Sequence, residues 1–260
     1  MSNYRVESGL QFLSRIKSVK SNLHNLENNI FANKLTPTDV IEFSSESNFG
    51  KTQTLLHLIK NAILIDNHNT ISIGGLDSSV LFIDTACHLE IEQLSQYIKK
   101  TVSNSNTRFN DEDHNTIVKK SLENLTIVRC YDSQQLLIAF HSLKTLLTSN
   151  PKIKFIILDG IGAHYWQDFI NGGVRKMDLY EKKVLSVLDT CIKEFKLLLL
   201  YVRPEYFVMK NPAGNASATH KVRIRVKDKN NLILESTVIF KDKSVHNKSF
   251  TVRDHQLVWM

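Results

Sequence analysis

The chain has 260 residues, 42% of them hydrophobic and 23% charged, and a net charge of +7. That apolar share excludes wholesale disorder and supplies a substantial core for one large domain or two small ones. The basic balance admits a polyanionic partner, and it is uneven: residues 201–260 carry net +6, the first 200 net +1.

Cys87, Cys130 and Cys191 are odd in number, far apart and without metal-like spacing. Cys130 and Cys191 border apolar runs, which predicts buried free thiols in a reducing compartment. The opening MSNYRVESGLQF has no signal-peptide core, and no apolar run is long enough to span a bilayer. Secreted and membrane-spanning classes are disfavoured. Ten histidines include no pair at metal-ligand spacing beside other ligands.

In chain order, Leu10, Phe12, Leu13 and Ile16 give residues 7–18 an amphipathic helical pattern, suited to a partner contact or to packing on its own domain. Phe31 is expected to anchor the chain where it enters the core. VIEF (40–43) reads as a strand, followed by a polar turn and an apolar helix through Leu55, Leu56, Leu58, Ile59, Ala62 and Ile63. VLFID (80–84) is a second strand, followed by a helix through Leu94 and Ile98. Residues 102–116 are polar and read as a mobile surface loop. LTIVRC (125–130) is strand-like, 133–149 helical, KFIILD (154–159) a buried strand, 177–194 helical and KLLLLYV (196–202) another buried strand. Beyond Pro204, residues 211–220 read as a flexible loop. HKVRIRVK (220–227) and NLILESTVIF (231–240) then form a hairpin, and SFTVRDHQLVWM closes in extended form. The pattern predicts an α/β domain with a mostly parallel sheet, helices on its faces and antiparallel strands at its C-terminal edge. Residues 1–38 form an N-terminal helix and lead-in; residues 39–260 form the core, including the C-terminal hairpin region 220–260.

The sharpest local motif is Ser45-Glu46-Ser47-Asn48-Phe49-Gly50-Lys51-Thr52. It lies between a strand and a helix, where a phosphate-binding loop works: backbone N–H groups surround phosphate, a lysine neutralises it and a hydroxyl binds magnesium. Ser45, Asn48, Gly50, Lys51 and Thr52 make up this candidate nucleotide site. Ser45 stands where the usual pattern has glycine, which weakens the match. Asp159, ending an apolar strand, fits the acidic magnesium partner and joins Thr52 as the candidate metal pair. Asp84 ends a strand in the same way, 75 residues earlier. Either aspartate also suits a cap or turn. The order fits a RecA-type core better than a small-molecule kinase.

Five stretches carry a resemblance: RVESGLQFLSRI (5–16), NIFANKLTPTDVIEF (29–43), GKTQTLLHLIKNAIL (50–64), VLFIDTACHLE (80–90) and FIILDGIGAHYWQDFINGG (155–173). They resemble the short recombinase paralogues of the RecA/RadA superfamily. The resemblance implies a RecA-like P-loop fold and a nuclear role in homologous recombination, double-strand break and interstrand cross-link repair. It implies membership of a four-paralogue complex, with the D paralogue the direct partner, no membrane and ATP with magnesium as the ancestral cofactors. It also marks departures. Active members place a glutamate two residues after the aspartate of FID; here that position is Ala86, which cannot act as a base. The polar sensor expected after the later strand is replaced by Val202-Arg203-Pro204. Loss of a general base alone costs about 10²–10⁴-fold in rate. Little or no hydrolysis is expected, and nucleotide binding weak or absent. The alternative is a DNA-stimulated ATPase whose glutamate comes from Glu90 or a neighbouring subunit.

Lys221, Arg223, Arg225 and Lys227 alternate with Val222, Ile224 and Val226, so the charges share one strand face. The face is a candidate DNA contact, sequence-independent and salt-sensitive; the bland alternative is a solvated or guarded edge. Tyr165-Trp166 suits a partner hot spot or a core pair anchoring its loop.

Overall fold

The computed structural model describes Gly9 and residues 23–105, 109–210, 218–253 and 256–260. The amphipathic segment 7–18, apart from Gly9, and positions 211–217 of the expected loop lie outside the described residues.

The apolar runs form the centre of a nine-stranded sheet. Its strands are β1 (Val40–Ser45), β4 (Ser79–Asp84), β5 (Leu125–Arg129), β6 (Ile153–Asp159), β7 (Leu198–Val202), β8 (His220–Asp228), β9 (Ile233–Ile239), β10 (Val245–Arg253) and β11 (Gln256–Trp259), ordered β11-β10-β9-β8-β1-β7-β6-β4-β5. Pairings from β8 through β1 to β5 are parallel; those from β8 to β11 are antiparallel. Strands β4, β6 and β7 are buried along their whole length, which is why their sequences are continuously apolar rather than alternating. A short hairpin, β2 (Asn67–His68) and β3 (Ile71–Ser72), stands apart, turned by Asn69 and Thr70 at φ 47° and 69°.

Helices cover both faces. On one lie α1 (Asn28–Phe31), α2 (Asn48–Ile63), α3 (Ile91–Ser105) and α4 (Asp111–Glu123), whose Phe31, Leu58, Ile59, Ile98 and Ile117 pack on Phe43, Phe82, Phe155 and Leu200. On the other lie α5 (Ser133–Ser149) and α7 (Met177–Phe195), whose Phe140, Leu143, Leu185 and Leu188 pack on Ile83, Ile156, Leu158 and Tyr201. Two short helices, α6 (Tyr165–Ile170) and α8 (Glu205–Lys210), follow β6 and β7. The fold is RecA-like: a large, mostly parallel sheet between helical layers with antiparallel strands at one edge.

One expectation is corrected. Residues 102–116 are mainly helical, not a loop: α3 runs to Ser105 and α4 starts at Asp111, with Val102 and Phe109 buried. Ser103, Asn104, Asp111, Glu112 and Asn115 are exposed on the solvated sides of these two helices, while His114 is buried. The acidic run Asp111-Glu112-Asp113 occupies the first turn of α4, and Asn110 with Asp113 forms a reciprocal capping box. The closing segment is extended as expected, in strands β10 and β11, which pair antiparallel with Phe250 opposite Trp259.

A buried polar cluster ties the first described segment and the last strand to the core. The Glu27 carboxylate meets His57 Nε2, His57 Nδ1 lies 2.6 Å from the Tyr97 hydroxyl, and that hydroxyl accepts the Leu257 N–H at 3.2 Å. The three cysteines are free; Cys130 is buried as expected, but Cys191 only half-buried and Cys87 exposed. Among the described residues no helix is long and apolar enough to cross a membrane, and no cluster of three or more His, Cys, Asp or Glu side chains is placed to hold a metal ion.

Candidate functional site

The candidate nucleotide site begins where β1 ends. Only Glu46 and Ser47 separate Ser45 from Asn48, the first residue of α2. Ser47 caps the helix: its backbone is extended and its Oγ accepts the Gly50 N–H at 3.3 Å. Ser45 Oγ donates to the Ser47 carbonyl at 2.8 Å. The serine at the expected glycine position thus serves the turn itself. Gly50 has a packing reason: a Cβ there would lie 3.3 Å from both Ile224 Cγ2 and Leu234 Cδ1, so a missing side chain lets the start of α2 approach β8 and β9.

Lys51 and Asp159 are brought together. Lys51 Nζ lies 3.7 Å from Asp159 Oδ1, and both side chains are largely buried. Asp159 pairs in register with Asp84, which is fully buried. One Asp84 oxygen accepts the Cys87 N–H at 2.6 Å; the other lies 3.7 Å from Arg129 Nε. The result is a line of charges across the strand ends: Lys51, Asp159, Asp84, Arg129. Burial pushes the Asp159 carboxyl above its ordinary value, Lys51 opposes this, and Asp84 adds to it. Asp159 Oδ1 and Asp84 Oδ2 are buried without a hydrogen-bond partner among the described residues. Gly160 follows at φ 97°, and a Cβ there would sit 2.7 Å from Thr85 Oγ1, so glycine is required.

Oxygen donors at Thr52 and Asp159 suit a hard cation. The turn does not suit a triphosphate. A phosphate cradle needs several loop N–H groups converging on the anion; here the connection is two residues long, the Gly50 N–H is taken by Ser47, and Glu46 adds negative charge. Ala86 occupies the place of the base. Glu90, the alternative source, is exposed and bonded to the Gln93 side chain.

Arg203, at the sensor position, turns away from this end. It is one of the largest fully buried side chains. Its Nε donates to Glu181 Oε1 at 2.8 Å, and its Nη1 lies 3.6 Å from Glu42 Oε1. The Tyr201 hydroxyl donates to Glu42 Oε2 at 2.9 Å. Burial raises the Glu181 carboxyl, opposed by Arg203. This quartet escaped the sequence reading, although a glutamate inside the apolar strand VIEF was its signal: a buried charge needs a partner.

The four β8 cations share one face, but that face is not uniformly positive. Arg223 contacts Glu205 and lies 3.5 Å from Glu46; Arg225 Nε lies 3.6 Å from Glu46; Lys227 Nζ lies 3.4 Å from Glu235 and donates to Ser249 Oγ at 3.0 Å. Lys221 is half-buried in the same row. Tyr165-Trp166 divides its roles. Tyr165 is buried and its hydroxyl donates to the Arg175 carbonyl at 2.8 Å, whereas Trp166 is 50% exposed and stacks on Tyr206.

A large, mostly parallel sheet between helical layers, with antiparallel strands β9, β10 and β11 at one edge, defines an α/β domain of the RecA-like class. No protein-family model matches the chain. It is similar to the DNA repair protein XRCC2 of Mus musculus, 34% identical over 199 residues covering 75% of this chain and 66% of the mouse protein. It is also similar to the Arabidopsis thaliana DNA repair protein XRCC2 homolog, 30% identical over 226 residues covering 75% of this chain and 59% of that protein. The chain belongs to the XRCC2 family, and the matches span about two thirds or less of the relatives' length.

Proposed function

We propose that the chain is a non-catalytic RecA-like subunit in recombinational DNA repair. Its work is assembly: it joins recombinase paralogues, the D paralogue most directly, in a four-member nuclear complex that serves homologous recombination, double-strand break and interstrand cross-link repair. The repair role rests on the two XRCC2 relatives; the assembly role rests on the site. The single observation that carries it is the Lys51–Asp159 pair at 3.7 Å behind a two-residue turn. The lysine of an active site neutralises phosphate; here it faces a buried carboxylate of its own chain. Ala86 stands where active members carry the glutamate base, and its methyl group cannot take a proton. ATP and magnesium are dispensable for this role.

The test is turnover of ATP by the purified chain with its partner paralogues and single-stranded DNA. The expected result is a rate that does not change when Lys51→Ala replaces the unaltered chain. Turnover that disappears with Lys51→Ala overturns the assembly reading in favour of a DNA-stimulated ATPase.

A further inference from the structure

The cations of β8 occupy alternate positions of one strand, so successive side chains stand about 6.8 Å apart on a common face. The carboxylates that meet them come from three separate elements: Glu46 from the turn before α2, Glu205 from the start of α8 and Glu235 from β9. Arg223 is the hub, its Nη2 shared between Glu205 and Glu46. The pairing is incomplete. Arg223 Nε and Glu205 Oε2 are both buried without a hydrogen-bond partner among the described residues. The guanidinium is therefore held through one nitrogen, whereas its planar fork is built to engage an oxyanion through two.

We infer that Glu46 and Glu205 mask a phosphate-binding row on β8, and that a DNA backbone competes with them for Arg223 and Arg225. Three physical points favour a phosphodiester chain as the competitor. Stacked nucleotides advance about 3.4 Å per residue, so cations at twice that interval meet alternate phosphates. A phosphate offers Arg223 the second oxygen that Glu205 does not. Partly exposed ion pairs contribute only about 0–1 kcal/mol each, which a polyanion releasing counterions can exceed. Glu46 and Glu205 both lie at connections rather than in the sheet, so displacing them breaks no strand pairing. The inference deepens the repair reading and rests on it for the choice of DNA.

Fluorescence anisotropy of a labelled oligothymidylate, titrated with the full chain over a range of salt, tests it. The double variant Glu46→Gln/Glu205→Gln is expected to bind about tenfold more tightly than the unaltered chain. Its log–log salt slope should be steeper by about 1.4, the equivalent of two uncovered cations on a single strand. Adding Arg223→Gln/Arg225→Gln to that variant should abolish the gain; a gain that persists overturns the assignment to these arginines. Equal affinity and slope in the double variant and the unaltered chain overturn the mask while leaving DNA contact standing. Binding by neither protein overturns the DNA assignment of this face, and partner recovery then still reports separately on the assembly role. If the double variant fails to fold, Glu46→Gln alone carries the test, with a gain of about threefold and a slope change of about 0.7; no change in either overturns the inference.

Discussion

Two groups of buried charges lie on this sheet, and they are built differently. Across the strand ends, Lys51, Asp159, Asp84 and Arg129 form a line whose outer contacts are both 3.7 Å, with an oxygen of each aspartate lacking a hydrogen bond. Beneath α7, Arg203 donates to Glu181 at 2.8 Å and Tyr201 to Glu42 at 2.9 Å, the two halves meet where Arg203 Nη1 lies 3.6 Å from Glu42, and Arg203 is wholly enclosed. At 3.7 Å a pair is held by Coulomb attraction without the directional bond that offsets desolvation. The first group keeps the residue types of a nucleotide site in a loose arrangement; the second fastens β1 and β7 to α7. Loosely paired charges at the strand ends and hydrogen-bonded charges beneath α7 are thus distinct within one protein.

The comparison is broken most forcefully at Arg203. Arg203→Met leaves Glu181 and Glu42 buried without their cation, and removing one partner of a buried pair costs about 3–5 kcal/mol. Urea denaturation should show a lower midpoint at unchanged slope. A loss under about 1 kcal/mol would mean that the quartet does not hold the fold.

The corresponding change in the loose group is expected to be small. Asp159 has a raised pKa in the fold, so the folded protein holds that proton more tightly than the unfolded chain does. The resulting stabilisation is complete below the ordinary carboxyl value and is lost as pH rises through the raised one. Above that raised value the ionised Asp159 is a net burden. Asp159→Asn should leave stability at pH 7 unchanged or raised by up to about 1 kcal/mol, an advantage that shrinks as pH falls to the unfolded carboxyl value. Urea titrations at neutral and acid pH check it; a loss of about 2 kcal/mol or more at pH 7 would make the pair a structural bond like that of Arg203.

The central strands were legible because burial on both faces leaves continuous apolar runs such as VLFID and KFIILD. The meeting of Lys51 with Asp159 was legible too, since a strand–turn–helix places one at the start of α2 and the parallel strand β6, one strand beyond β7, brings the other to the same sheet end. What the sequence hid came from distance or from solvated faces. Residues 102–116 read as a loop because Ser103, Asn104, Asp111, Glu112 and Asn115 face water from two helices. The alternation of β8 showed its cations, but Glu46, Glu205 and Glu235 come from three other elements. Arg203 stood at a sensor position, and only the fold reveals that its partners, Glu42 and Glu181, lie on the side covered by α7.

Co-purification of the D paralogue with the Lys51→Ala chain tests the separation most directly. The account predicts recovery within about twofold of the unaltered chain, because without Lys51 the Asp159 carboxyl, whose pKa burial already raises, takes up a proton more readily instead of standing as an unpaired charge. A tenfold or greater loss of partner from a variant that remains folded would show that the phosphate-loop end still works as a ligand site, and would contradict it.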